Sequence, residues 1–172
     1  MAQIAIRSAK PGDAHTIAEI HVAAWRIAYR GLLPDEVIHS LSVEQRRGFW
    51  KGVLSKPSGS KVDLAEDDEG PIAFCSYGPT RDDDADGAAE IYALYVHPDK
   101  WRRQAGRALC GQALREAALR GHGAMTLWVV KGNESACHFY ERLGFAPDGA
   151  ERKNDQLLPT PFHEVRYRKV IA

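Results

Sequence analysis

The first third of the chain alternates two periods. QIAIRSAK (3–10) places apolar and polar residues in turn, as a half-buried strand does, and Pro11, Gly12 and Asp13 then supply the proline, glycine and capping aspartate that open a helix. From about Asp13 onward, Ile17, Ile20, Ala24 and Trp25 recur at helical spacing; Gly31 ends the run, and Pro34 starts a second helical segment. SVEQRRGFWKGVL (42–54) predicts a third helix, with Ser42 and Gln45 spaced as a capping box.

Beyond residue 60 the period becomes two. KVDLAEDDEGPIAFCSYG (61–78) reads as two β runs joined by a charged glycine turn, a hairpin, and PTRDDDADGA (79–88) as a loop. Ala89 to Val96 is apolar almost throughout and rich in aromatic and branched residues, which predicts a strand buried on both faces at the centre of the sheet. A helical pattern runs from Gln104 to Arg120 and is closed by Gly121, and AMTLWVV (124–130) returns to strand. Strand, helix, strand implies a right-handed parallel crossover. Asn133 to Leu143 is a further helix, and FHEVRYRKVI (162–171) a final alternating strand after the proline-rich LLPTP. The order predicts an α+β fold in one domain over 1–172, with helices, an antiparallel hairpin region and a βαβ core.

Composition narrows what such a domain does. A chain of 172 residues that is 44% hydrophobic buries about two-thirds of its unfolded surface. Lys+Arg and Asp+Glu both number 23, so no overall field recruits nucleic acid or an anionic membrane, and any basic site is local. With no run of 18 apolar residues and no signal-peptide core at the N-terminus, a cytoplasmic protein is expected. Cys75, Cys110 and Cys137 are far apart with no CxxC pair, which predicts buried thiols rather than a disulfide framework or zinc site.

One local basic site stands out in VHPDKWRRQAGRALC (96–110). A helix that starts directly after a central parallel strand points its unpaired N–H groups and positive dipole end into the crevice at the strand's carboxyl edge. Arg102, Arg103 and Arg107 add charge there, and Gly106 between Ala105 and its neighbours lets a phosphate approach the backbone. Positive charge at a helix start opposes the dipole, so the cluster costs stability unless an anion binds. A diphosphate suits the place, although neither the Walker pattern nor the dinucleotide fingerprint is present. In VVKGNESACHFYERLGF (129–145), Asn133 caps a helix on which Ala136 and Tyr140 follow along one face, and Gly144 with Phe145 supplies the left-handed stop and the apolar contact behind it.

In this order and spacing, EIYALYVHPDKWRRQAGRALC followed by LWVVKGNESACHFYERLGF resembles the GNAT superfamily of acetyl-CoA-dependent N-acetyltransferases, from about Ile72 to Phe145. HVAAWRIAYRGLLPDEVI is similar to a segment of a bacterial, uncharacterised branch. The family's phosphate loop carries Gln or Arg, two variable residues, Gly, a variable residue, then Gly or Ala. Anchored on VHP and GRAL, that pattern puts Trp101 in the Gln/Arg place and Gln104 where the first glycine stands.

The resemblance implies a mixed, mostly antiparallel sheet splayed at two central parallel strands, with helices on both faces and coenzyme A in the gap. It implies that Leu94, Tyr95 and Val96 hold the pantetheine amides, that Arg102, Arg103, Gln104, Ala105, Gly106, Arg107 and Ala108 form the pyrophosphate loop, and that Asn133 and Tyr140 contact the cofactor arm. Tyr140 matches the general acid to the leaving thiolate, and Glu90 a carboxylate near the amine, acting directly or through water. Trp25 and Tyr29, one turn apart, border the acceptor groove that it implies.

Thioester aminolysis explains why these residue types are needed. A lysine-like amine with a pKa of about 10.4 is neutral only about once in a thousand at pH 7, so a base is useful. The tetrahedral oxyanion calls for a backbone N–H near Leu94 or Tyr95, available if the strand is bulged. Cys137 has no His and carboxylate arrangement to activate it, and no metal-ligand spacing is present. The acidic loop of Asp82, Asp83, Asp84 and Asp86 reads as a solvated tip, with long-range steering of a cationic amine as the functional alternative. The expected activity is acetyl transfer from acetyl-CoA to a primary amine, without nucleic acid, membrane or metal. The rivals are an acyl-CoA-binding module of the same fold and a nucleotide-binding regulator. The sequence leaves the acceptor and the oligomeric state, monomer or homodimer, open.

Overall fold

In the computed structural model, which describes residues 3–56, 58–85, 87–155, 158 and 160–171, the elements run β1 (Ala5–Ser8), α1 (Ala14–Ala28), α2 (Asp35–His39), α3 (Val43–Ser55), β2 (Lys61–Asp67), β3 (Gly70–Pro79), β4 (Ala89–Val96), α4 (Ala105–Leu119), β5 (Ala124–Val130), α5 (Glu134–Arg142), β6 (Ala146–Asn154) and β7 (Phe162–Val170). The strands form one sheet in the order β1-β2-β3-β4-β5-β7-β6, in which β4 and β5 are the parallel pair. β4 is central, as its apolar run predicted.

Period-two alternation sorts side chains onto the two faces of this sheet. Leu64 and Phe74 face Ile17, Ile20 and Trp50 of α1 and α3, whereas their neighbours Ala65, Ala73 and Cys75 face Leu109, Cys110 and Ala113 of α4. Burying each of the larger side chains stabilises the fold by about 1.5–3 kcal/mol. The small residues Ala105, Gly106, Ala113 and Ala117 on the buried side of α4 let that helix lie close to the strands. Two of the expected caps form: the Ser42 hydroxyl accepts from Gln45 N at 3.3 Å, and the Asn133 side chain accepts from Ala136 N at 3.2 Å. Asp13 stands at the N-cap of α1 without a side-chain cap bond; its carboxylate accepts from Lys10 N at 2.7 Å instead. Gly31, Gly121 and Gly144 all have positive φ just past helix ends, where a side chain would be strained. Among the described residues, no helix is long and apolar enough to cross a membrane.

Three expectations need correction here. β4 is fully buried only over Ala89–Ile91; from Tyr92 to Val96 it is half-buried, because its partner on one side leaves it. β6 was not predicted at all. Its Pro147, Asp148 and Gly149 are residue types common in turns, and they form an irregularity inside a strand, since the register with β7 breaks between Pro147 and Glu151. β6 lies at the sheet edge, where a proline without an N–H and a bulge are both tolerated. The cysteines also divide: Cys75 and Cys110 are buried, but Cys137 is only half-buried.

Candidate active site

The site begins where β4 and β5 part. They pair through Ala89↔Met125, Glu90↔Thr126 and Ile91↔Leu127 and no further, although both strands continue. The cause lies on the other edge of β4: Ser76 opposes Ala93 while Tyr77 opposes Ile91, so Tyr92 is an extra residue and the strand bends there. Beyond this bulge the His97 N–H bonds the Ile72 carbonyl at 2.8 Å. Antiparallel ladders alternate, so the backbone of Tyr95 also faces β3 while those of Leu94 and Val96 face the gap. Of the three expected strand residues, two therefore offer free main-chain groups, and Tyr95 contributes its side chain to the opposite face instead. The Val96 carbonyl accepts the Trp101 indole N–H at 3.0 Å.

At the end of β4 the loop into α4 places two non-glycine residues in the left-handed region, Arg102 at φ 66° and Gln104 at φ 67°. Gln104 thus has the backbone for which glycine is suited, which supports the register that put it there. Such a conformation costs about 1–2 kcal/mol for a residue with a Cβ. Gln104→Gly is accordingly expected to stabilise the protein by about 1 kcal/mol and to raise the melting temperature by roughly 2–4 °C in a thermal denaturation scan. A lower melting temperature would contradict strain at this position.

The turn aims the free N–H groups of the first turn of α4, from Ala105 onward, at the crevice. Arg102 and Arg107 are exposed and form no ion pair among the described residues, while Arg103 is held by Asp67 Oδ2 at 3.1 Å. That bond, with Lys100 on the same Asp67 oxygen at 3.3 Å, ties the loop to the β2–β3 turn. A side chain at Gly106 would crowd the neighbouring elements, with its Cβ 3.2 Å from Phe139 and 3.4 Å from Val96. This glycine serves the contact of α4 with α5 and β4. Ala108 is half-buried and its N–H closes the first helical bond, to Gln104 O at 2.9 Å.

Across the gap, Tyr140 packs edge-on against Phe139 and Phe145, with ring centroids 5.0 and 5.7 Å apart. Burial pushes its phenol well above the usual range, and Cys110, Cys75 and Tyr95 are the groups whose charges would reach it. The Asn133 oxygen is spent on capping α5.

The other face of the bulge opens into a cavity of about 850 Å³ walled by α1, α3, β4 and β7. Glu90, fully buried, sits in its wall and accepts three hydrogen bonds from Arg81: backbone N at 3.0 Å, Nε at 3.1 Å and Nη2 at 2.5 Å. Trp25 and Tyr29 both line it, so the structure brings these expected residues together with Glu90 and Tyr95. The Tyr29 and Tyr95 hydroxyls are 3.4 Å apart, and burial raises both phenols. The Trp25 N–H lies near enough to the Tyr95 hydroxyl to offset part of that rise, but outside hydrogen-bonding geometry.

At the far end, Trp128 Nε1 donates to Asp82 at 2.9 Å and Arg166 binds Asp84 through two hydrogen bonds of 2.6 and 3.1 Å. Asp82 is thus paired in the cavity wall; Asp84 is paired with Arg166 yet stays largely exposed, Asp83 is exposed, and Asp86 lies outside the described residues. Half-buried Cys137 lies beside the Tyr167 hydroxyl, which donates to Glu141 at 3.1 Å.

Sequence reasoning missed most of the wall, His21, Arg46 and Trp50 among it. His21 precedes Trp25 and Tyr29 at four-residue spacing, so a polar member in that aromatic stripe was the available signal. Arg46 and Trp50 come from α3, and nothing local marks them.

Comparison with known proteins agrees with this arrangement. The model of the acetyltransferase (GNAT) family matches residues 14–145. An uncharacterized N-acetyltransferase of Bacillus subtilis, YuaI, is 29% identical over 163 residues, covering 94% of this chain and 90% of that protein. A probable N-acetyltransferase of Mycobacterium tuberculosis is 30% identical over 157 residues, covering 85% and 82%. The PaiA N-acetyltransferase of Thermoplasma acidophilum, solved in complex with coenzyme A, shares the fold with a TM-score of 0.74 at 20% identity, over 98% of this chain and 99% of that one. With a split sheet, a left-handed loop at a helix start and a family model spanning most of its length, the chain belongs to the acetyltransferase (GNAT) family.

Proposed function

We propose that the protein transfers the acetyl group of acetyl-CoA to a primary amine seated in the aromatic cavity, by direct attack in a ternary complex. The observation that carries this reading is the bulge at Tyr92, where a gap with free backbone groups on one side meets a cavity with a buried carboxylate on the other. The cleft residues fit the donor. Leu94 and Val96 present main-chain donors and acceptors to the amides of its arm, with Trp101 yielding the Val96 carbonyl, while Arg102, Arg107 and the start of α4 meet its diphosphate. When bound, acetyl-CoA supplies the activated acetyl group.

The chain's own groups then meet the three needs of aminolysis. The Leu94 N–H faces the gap just past the bulge and is the main-chain donor we assign to the developing oxyanion; Tyr95 N–H is spent in the ladder. Glu90 holds three of its roughly four acceptor positions on Arg81, so it reaches the amine through one water and draws the proton into the cavity wall. Tyr140 protonates the departing thiolate.

Pure protein with acetyl-CoA and an amine panel should release free thiol together with an acetylated amine identified by mass. Binding of acetyl-CoA without turnover of any amine would instead identify an acyl-CoA-binding module. Glu90→Gln is expected to reduce kcat/KM for the amine about 100-fold while leaving acetyl-CoA affinity within about twofold. Kinetics within twofold of wild type would remove Glu90 from the proton path.

A further inference from the structure

A buried carboxylate stands behind the loop that leads into α4. The Asp67 side chain, at the end of β2, is fully enclosed. Its Oδ1 accepts the Glu69 N–H at 2.9 Å, which fixes it within the β2–β3 turn, and its Oδ2 accepts Lys100 Nζ at 3.3 Å and Arg103 Nη1 at 3.1 Å. The Glu69 N–H, with Lys100 and Arg103 beyond it, keeps the carboxyl below the usual range, so it is charged at any ordinary assay pH. Lys100 also pairs with Glu69. Two cations and two carboxylates cancel, so this cluster holds no charge in reserve for an anion. What it supplies is geometry.

The loop needs holding. Arg103 stands between Arg102 and Gln104, both non-glycine residues in the left-handed region, and such residues keep that backbone only where their surroundings impose it. Main-chain bonds do not impose it. Among the described residues they run as far as the Trp101 N–H, which donates to Pro98 O at 3.4 Å, and resume at Gln104 O, which accepts from Ala108 N at 2.9 Å. The Trp101 indole anchors the start of the loop on Val96 O; past it, the side-chain tie is Arg103 on Asp67. Gln104 is the N-cap of α4, so its backbone decides how the loop frames the first free N–H groups of that helix.

We infer that Asp67 is a positioning residue for the diphosphate of coenzyme A. Through Arg103 it holds residues 102–104 in the left-handed turn that frames the start of α4, and the Arg103 guanidinium serves that tie rather than the charge of the ligand. The inference rests on the reading of this helix start as the diphosphate site.

Charge and geometry predict opposite signs for the test. Asp67→Asn removes a negative charge from the cluster, so a loop that acted through charge alone would bind coenzyme A more tightly. Calorimetric titration with coenzyme A, on protein shown to be folded by circular dichroism, is expected to give binding at least about tenfold weaker instead. Arg103→Met cuts the same tie from its exposed side and should weaken binding to a similar extent. Gln104→Gly added to either variant is expected to shrink the loss to about threefold or less, because glycine takes the left-handed backbone without being held. In Asp67→Asn, tighter binding or binding within about twofold of wild type overturns the role of Asp67 and leaves the donor site standing. So does a loss in Arg103→Met that Gln104→Gly leaves untouched, since the guanidinium would then meet the diphosphate itself. No binding of coenzyme A by the wild type removes the donor site and this inference with it.

Discussion

Tyr140→Phe is expected to lower kcat about 100-fold while acetyl-CoA binds within about twofold of wild type. The ring is fixed before any ligand arrives: Asn133 and Gly144 bound α5, and Phe139 and Phe145 hold the phenol edge-on from both sides. Phenylalanine fills the same space, so the fold should survive and the loss should report the hydroxyl alone. Burial raises this phenol well above 10, so it stays protonated through any ordinary assay pH; giving that proton to a thiolate, whose thiol has a pKa of about 8.5 in water, is uphill and requires the sulfur to be held against the hydroxyl. It follows that kcat should show no alkaline fall from Tyr140 below about pH 10. Steady-state kinetics from pH 6 to 10 on both proteins check this; an unchanged kcat in the variant would exclude Tyr140 from the chemistry.

Gly106→Glu should abolish measurable acetyl-CoA binding, a loss of more than about 100-fold. The new Cβ would stand 3.2 Å from Phe139 and 3.4 Å from Val96, so the side chain either forces α4 from its seat or turns toward the crevice. Overpacking of this kind typically costs about 1–3 kcal/mol. Turned toward the crevice, the carboxylate would claim the N–H groups and the arginines that we assign to the diphosphate. Gly106→Ala separates the two effects, since Phe139 need give only a few tenths of an ångström. The alanine variant should bind within about fivefold of wild type. Unchanged affinity in the glutamate variant would mean that the start of α4 is not the anion site.

Local patterns carried most of the scaffold and the donor half of the site. The strand, arginine and helix order in VHPDKWRRQAGRALC is contiguous, so a helix start aimed at a crevice could be read directly, and Gln104 in the place of a family glycine proved left-handed. The acceptor half was less legible because its contacts join distant residues. Trp128 meets Asp82 across 46 positions and Arg166 meets Asp84 across 82, so a loop whose Asp83 and Asp84 are exposed, as its solvated reading expects, still sends Asp82 into the cavity wall. His21 on an apolar helix face looks like any core histidine until Trp50, 29 residues on, occupies its Nδ1. β6 escaped because Pro147, Asp148 and Gly149 carry turn chemistry that an edge strand absorbs as a bulge.

The central claim is that the split between β4 and β5 is a coenzyme A cleft that serves the cavity behind it. Calorimetric titration of the pure protein with acetyl-CoA, using coenzyme A, ATP and NAD as comparators, tests it most directly. Saturable binding of acetyl-CoA and coenzyme A, with ATP and NAD at least about tenfold weaker, is the predicted result. Equal binding of all four would make the loop a general diphosphate site, and no binding of acetyl-CoA would contradict the assignment of Leu94, Val96 and the start of α4 to the donor.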